Sequence, residues 1–108
     1  MKRFVYALDL IDDQAVIERY KKFHKAVPED VIRNLPDTGI RSMEIYCIGN
    51  RLVNIVEADD DYVPSSLKRD NVHPKVREWE ELMSGMQVPL KEASPGTKWV
   101  LMEMIYTR

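Results

Sequence analysis

The order in which two hydrophobic periodicities follow one another is the feature that most constrains how this chain folds. Four segments rich in β-branched, aromatic and aliphatic residues predict strands, at residues 3–10, 40–48, 51–58 and 98–106. Elsewhere, apolar residues recur at spacings of three and four, which indicates one face of an α-helix. One such stripe contains Val16, Tyr20, Phe23 and Val27, and a later one contains Val76, Trp79, Met83 and Met86.

Turn and cap residues divide these segments. Asp12 and Asp13 predict an N-cap for the first helix, and Pro28 ends or kinks that helix. A short second helix is expected at residues 29–35, before a turn at 36–39. The two-residue link Gly49-Asn50 predicts an antiparallel hairpin.

The remaining connections are predicted loops. Residues 62–74 contain two prolines and have room for only a short helical piece, and residues 87–97 form a second loop. The resulting order, β-α-β-β-α-β, predicts an α+β ferredoxin-like fold: an antiparallel sheet with helices on one face.

The length of 108 residues fits a single domain over residues 1–108. Because two helices cover only one sheet face, the other face needs a cover, and a second copy of the same sheet would supply it. A domain of this size also has little room for a deep pocket of its own. We therefore expect a homodimer.

Charge and composition narrow the classes of function. The net charge of −2, with no basic stripe, gives no reason to expect a nucleic-acid partner. No apolar run approaches membrane-spanning length, so we expect no membrane partner and a cytoplasmic protein. Cys47 is the only cysteine, and the two histidines lack metal-ligand spacing, so we predict no disulfide within the chain and no metal.

His24 is the titratable residue best suited to proton transfer. It follows Tyr20 by four residues, so both side chains share one face of the first helix, at the edge of its apolar stripe. A half-buried histidine there suits general acid-base work. The competing interpretation is a boundary histidine that only hydrogen-bonds the helix end. The other histidine, His73, is expected to be an exposed loop residue.

Other residues have both a binding and a structural interpretation. The side chains of Tyr46 and Trp79 could stack on the apolar face of a ligand or simply pack in the core or an interface, and the same holds for Trp99 and Tyr106. Strand carboxylates either line a polar cavity or form ion pairs, for instance with Arg41. These carboxylates are Glu44, Glu57 and Glu103. No phosphate-binding loop or nucleophile elbow is present, which favours cofactor-free proton transfer or pure binding.

Several segments together resemble the L-rhamnose mutarotase family. The run YKKFHKAVPE (residues 20–29) is similar to the family's first motif, and MEIY (43–46) with the following hairpin is similar to its central strands. WEELM (79–83) resembles its late helix, and MEMIY (102–106) resembles its final strand. The similarity covers nearly the whole chain in the same order.

The resemblance implies a dimeric α/β barrel of ferredoxin-like subunits that interconverts the α and β anomers of a deoxy-hexose without a cofactor. It implies that His24 is the proton donor and that Tyr20 and Trp79 contact the sugar. The chain departs from the family where a substrate-binding tyrosine falls at Met43, and where tryptophans fall at Glu78 and Val27. Met43, Tyr46 and Glu78 are therefore further candidate substrate-binding residues, and L-fucose competes with L-rhamnose as substrate.

Two other functions fit the same fold. One is a cofactor-free enzyme of the monooxygenase or decarboxylase type, which needs an apolar cavity for an aromatic substrate. The other is a non-catalytic binding or regulatory module, because this architecture hosts many functions. Polar and aromatic groups gathered around His24 would favour the sugar.

Overall fold

The structure is a computed structural model, and it describes residues 1–33, 39–62, 73–95 and 97–108. The helices are α1 (Gln14–His24), α2 (Glu29–Arg33) and α3 (Pro74–Ser84). The strands are β1 (Lys2–Leu10), β2 (Ile40–Ile48), β3 (Arg51–Ala58), β4 (Gln87–Val88) and β5 (Val100–Leu101). The predicted turn at 36–38, the end of the second helix and most of the 62–74 loop lie outside the described residues.

The sheet has β1 and β3 at its centre. β1 runs antiparallel to β3, and β3 runs antiparallel to β2, with Leu8 opposite Leu52 and Cys47 opposite Leu52. The link between β2 and β3 is the predicted tight turn, in which Gly49 adopts a positive φ of 56° that glycine reaches without steric cost. The α+β fold and the predicted order of elements are confirmed.

The last predicted strand differs from the observed structure, in which two short strands pair with β1. We expected one strand over residues 98–106 and a loop over 87–97. Instead, β4 pairs with Asp9 and Leu10, and β5 pairs with Tyr6 and Ala7, so two short strands lie end to end along the same edge of β1. After β5, one further bond joins the Met102 amide to the Val5 carbonyl. Residues 103–106 have strand-like sequence but are not assigned to a strand, because strand formation depends on a pairing partner as well as on residue type.

Cross-strand pairing assigns the residues of the sheet to two faces. On the helix-covered face, Leu8, Leu10 and Leu52 are almost wholly buried. Leu10 and Leu52 pack under α1 and α3 in a core cluster that also contains Ile17, Tyr20, Met83 and Met86. The helical parts of the apolar stripes predicted from spacing therefore face the sheet, whereas Val27 and Met86 lie beyond the ends of α1 and α3.

The helix ends explain the position of His24. The Asp13 carboxylate accepts from the Ala15 and Val16 amides at 2.8 and 3.3 Å, which confirms the predicted N-cap. α1 ends at His24, four residues before Pro28, where the Lys25 amide bonds the Lys22 carbonyl at 3.2 Å.

His73 is exposed, as predicted, and its Nδ1 accepts from the Lys75 amide at 3.1 Å as the N-cap of α3.

The opposite face of the sheet, here called the open face, carries the odd-numbered residues of β1 and β3 and the even-numbered residues from Ser42 to Ile48. Two ion pairs cross it, Arg51 with Asp9 at 2.6 Å and Arg3 with Glu57 at 3.2 Å. We predicted that Ile40 shares a face with Glu44. A register shift between Ile40 and Ser42 overturns this, because an irregularity of one residue reverses the alternation.

Candidate active site

Four aromatic rings meet where α1 and α3 approach each other. The rings of Tyr20 and His24 lie one helical turn apart with centroids 4.5 Å from each other. Trp79 of α3 presents its ring edge-on to His24 at 5.5 Å and to Phe23 at 6.3 Å. We call these four residues the ring cluster. The structure thus brings together three of the predicted site residues, His24, Tyr20 and Trp79.

The imidazole of His24 is held by its own helix. Its Nδ1 lies 2.9 Å from the backbone oxygen of Tyr20. A carbonyl oxygen can only accept, so Nδ1 carries a proton in this contact, and the neutral ring has its lone pair on Nε2. The same contact bonds a carbonyl at the helix end, so the structural and the catalytic interpretations both fit it. When the imidazole is neutral, Nε2 can accept a proton. When the imidazole is charged, Nε2 can donate one.

The side chain of Tyr20 is buried beside Gln87. Only 3% of the residue is exposed, and its hydroxyl oxygen accepts from Gln87 Nε2 at 3.2 Å. Burial raises the pKa of Tyr20, the bond from Gln87 lowers it, and the neighbouring Cys47 thiol raises it again. The hydroxyl therefore stays protonated at neutral pH, and since it accepts from Gln87 its own proton remains available to another acceptor.

Met43 lies on the helix-covered side of β2. It is opposite Val56, which is 2% exposed, while the side chain of Met43 itself is 46% exposed. Two residues further along that face, Ile45 is opposite Asn54. The predicted binding residue on β2 is therefore on the same side of the sheet as the ring cluster, at an open edge.

Tyr46 and Glu78 are placed elsewhere. Tyr46 is on the open face, 54% exposed, and its hydroxyl donates to the Glu44 carboxylate at 3.2 Å. Glu78 is on the outer side of α3, where its carboxylate lies 3.8 Å from Lys75 Nζ beside a groove of about 370 Å³. Within the described part of the chain, the polar contacts of these two side chains are therefore with Glu44 and Lys75 and not with the ring cluster.

The strand glutamates are also remote from His24. Glu44 and Glu57 are on the open face, and Glu57 pairs with Arg3, which is the ion-pair outcome. Arg41 pairs with Asp59 at 2.7 Å instead of with a strand glutamate. Glu103 is exposed in the C-terminal segment.

Two polar residues near the core were not found from the sequence. Gln87 contacts Tyr20, although it falls in a segment predicted as loop. Asn54 is 6% exposed and belongs to an apolar strand pattern. The side-chain oxygens of both residues are buried without a hydrogen-bond partner among the described residues. An isolated polar residue in an apolar segment is the only sequence signal for either.

The described ranges contain neither a metal-binding cluster nor a membrane-spanning helix. Within them, no group of three His, Cys, Asp or Glu side chains is placed to hold a metal ion. None of the helices there has both the length and the apolar character needed to cross a membrane.

Comparison with known proteins identifies the family. The L-rhamnose mutarotase family profile matches residues 3–108. An L-fucose mutarotase of Xanthomonas campestris is 38% identical over 102 residues, covering 92% of this chain and 82% of that protein. A UPF0734 protein of Dictyostelium discoideum is 36% identical over 110 residues, covering 97% of this chain and 88% of that protein.

A solved structure shares the fold of this chain. The crystal structure of an L-rhamnose mutarotase from Formosa agariphila superposes with a TM-score of 0.67 at 17% identity, covering 100% of this chain and 99% of that one. At that identity the likeness concerns the fold alone. None of these comparisons supports the monooxygenase-like enzyme or the binding module. The chain belongs to the L-rhamnose mutarotase family, and it is an isomerase of the sugar mutarotase class.

Proposed function

We propose that this chain interconverts the α and β anomers of L-fucose, with L-rhamnose as the second candidate, and that His24 is its acid-base residue. The observation that carries the proposal is the His24 imidazole, which is anchored through Nδ1 and therefore has Nε2 available for proton transfer. Similarity to an L-fucose mutarotase favours L-fucose. Methionine in place of the family's tyrosine at position 43 points the same way.

The reaction opens and recloses a pyranose ring. The charged His24 donates its Nε2 proton to the ring oxygen, and the bond between that oxygen and the anomeric carbon breaks. The anomeric hydroxyl loses its proton and becomes the aldehyde oxygen. After rotation about the bond next to the aldehyde carbon, the hydroxyl formed from the ring oxygen adds to the other face of the aldehyde and returns its proton to His24. The aldehyde oxygen takes back the proton that was lost on opening and becomes the new anomeric hydroxyl. Positioned acid-base catalysis contributes roughly 100- to 10,000-fold.

The group that takes the anomeric proton is a water molecule in this proposal. Glu44 and Glu57 are on the open face, and the sheet separates them from His24. The Tyr20 hydroxyl would donate a hydrogen bond to the sugar, and the half-buried Trp79 ring would pack against its apolar face.

Saturation-transfer NMR tests the proposal directly. Anomer exchange is measured for L-fucose, L-rhamnose and D-glucose with the wild-type protein, and the rates without protein are subtracted. L-Fucose should exchange fastest and D-glucose least. Equal rates for all three sugars, or none above background, would exclude this function.

We further propose that the protein acts as a homodimer joined through the open faces of two sheets. Ile48 on this face is 80% exposed, and the adjoining C-terminal segment exposes Met104, Ile105 and Tyr106 to between 71 and 88%. Apolar exposure of this extent marks an interface. We place the protein in the cytoplasm, where the exposed free thiol of Cys47 would remain reduced.

A further inference from the structure

Gln87 is bound to the ring cluster by one contact. Its Nε2 donates to the Tyr20 hydroxyl at 3.2 Å across 67 residues of sequence. The backbone of Gln87 is fixed independently, because β4 pairs it with Leu10 and the adjacent Met86 carbonyl accepts from the Ile11 amide at 2.9 Å. Since Leu10 is on the helix-covered face, this pairing directs the Gln87 side chain toward the core as well.

Packing alone gives no reason for an amide at this position. The Gln87 Oε1 atom is buried and has no hydrogen-bond partner among the described residues. An unsatisfied buried acceptor lowers the stability of the folded state, so an apolar side chain of similar length would suit the core better. Among the described residues, the amide hydrogen-bonds the Tyr20 hydroxyl.

That bond determines what Tyr20 can offer a ligand. A phenol has one proton to donate and lone pairs that accept. When Nε2 of Gln87 occupies a lone pair, the phenol proton remains for another acceptor. The bond from Gln87 also restrains rotation of the hydroxyl, because its oxygen is held by a donor on a fixed strand.

We propose that Gln87 is a positioning residue of the mutarotase site, which orients the Tyr20 hydroxyl as a hydrogen-bond donor toward an oxygen of the sugar. The inference rests on the proposed function, because it assumes that the sugar binds beside Tyr20 and His24. The proposal gives β4 a role in sugar binding. Neither its length of two residues nor its loop-like sequence indicates such a role. Gln87 itself does not react.

The experiment compares Gln87→Met with Tyr20→Phe, with both together, and with Gln14→Met as a matched control. Gln14 is the exposed glutamine at the start of α1, bonded to Glu18 at 2.8 Å. Anomer exchange of L-fucose is read by saturation-transfer NMR. The pKa of Tyr20 is read by NMR of protein labelled at the tyrosine ζ carbon, with the Tyr20→Phe spectrum giving the assignment.

Gln87→Met should lower kcat/KM by about tenfold, which corresponds to one lost hydrogen bond, while thermal stability stays the same or rises. The double variant should be no slower than Tyr20→Phe alone, because Gln87 acts through Tyr20. The pKa of Tyr20 should rise in Gln87→Met, because a donor that favours the phenolate has been removed. Gln14→Met should leave exchange and the pKa of Tyr20 at their wild-type values.

The two proposals fail in different ways. Wild-type protein that exchanges neither L-fucose nor L-rhamnose would overturn the proposed function. A Gln87→Met variant with wild-type exchange would overturn the positioning role, as would a double variant slower than Tyr20→Phe. An unchanged pKa of Tyr20 in Gln87→Met would overturn the contact itself, whatever the activity of the wild type.

Discussion

The Nδ1 atom of His24 lies 2.9 Å from the backbone oxygen of Tyr20, one helical turn earlier, while the two rings stack at 4.5 Å. A single turn of α1 therefore fixes both the tautomer and the tilt of the imidazole. The arrangement connects helix geometry to proton transfer, because it leaves Nε2 as the reactive nitrogen.

Replacing His24 tests this arrangement. His24→Gln should lower anomer exchange by about 100-fold or more, because an amide cannot exchange protons near neutral pH. Thermal stability should change little. His73→Gln is the matched control, since the contact of His73 among the described residues is its capping bond from the Lys75 amide of α3. It should lower stability by up to about 1 kcal/mol and leave exchange intact. Near-normal exchange in a folded His24→Gln protein would remove His24 from the mechanism.

Met43 is expected to help select the sugar. The family's tyrosine at this position would add a hydrogen-bonding group, so Met43→Tyr should shift the ratio of L-rhamnose to L-fucose exchange upward by about fivefold, or roughly 1 kcal/mol. Ile32→Tyr, at an exposed position on α2, is the control. A ratio that moves equally in both variants would count against a role for position 43.

Tyr20 should make stability depend on alkaline pH. Burial raises its pKa, so the folded state keeps the phenol proton at pH values where the unfolded chain has lost it. Its stabilisation is complete below the unfolded value of about 10 and is lost as pH rises through the folded pKa. Urea unfolding at pH 9, 10 and 11 should show a steeper loss for wild type than for Tyr20→Phe. Parallel curves for the two proteins would contradict the prediction.

The dimer can be tested at one exposed residue. Ile48→Lys places a charge on the open face at a side chain that is 80% exposed, so the monomer should still fold. Sedimentation equilibrium at micromolar concentration should give about twice the 12.7 kDa chain mass for wild type and a monomer for Ile48→Lys. Ile32→Lys, on α2 and 58% exposed, should remain dimeric. A wild-type monomer, or a dimer unaffected by Ile48→Lys, would exclude this interface.

The sequence by itself determined the local elements. Spacing along α1 placed Tyr20 and His24 on one face, Asp13 gave the N-cap, and Gly49-Asn50 gave the hairpin. Each of these local structures depends on interactions within a few residues, so the local sequence is enough to predict it. The resemblance of the motifs to the L-rhamnose mutarotases then pointed to the family, which the comparisons confirm.

Only the tertiary structure decided which distant groups meet. β4 and β5 share one edge of β1 because separate parts of the chain find partners there, and residue type alone does not identify a partner. The register shift after Ile40 is likewise a property of the pairing of β2 with β3. The bond from Gln87 to Tyr20 spans 67 residues, and it forms because strand pairing and helix packing bring the two side chains to one point in the core.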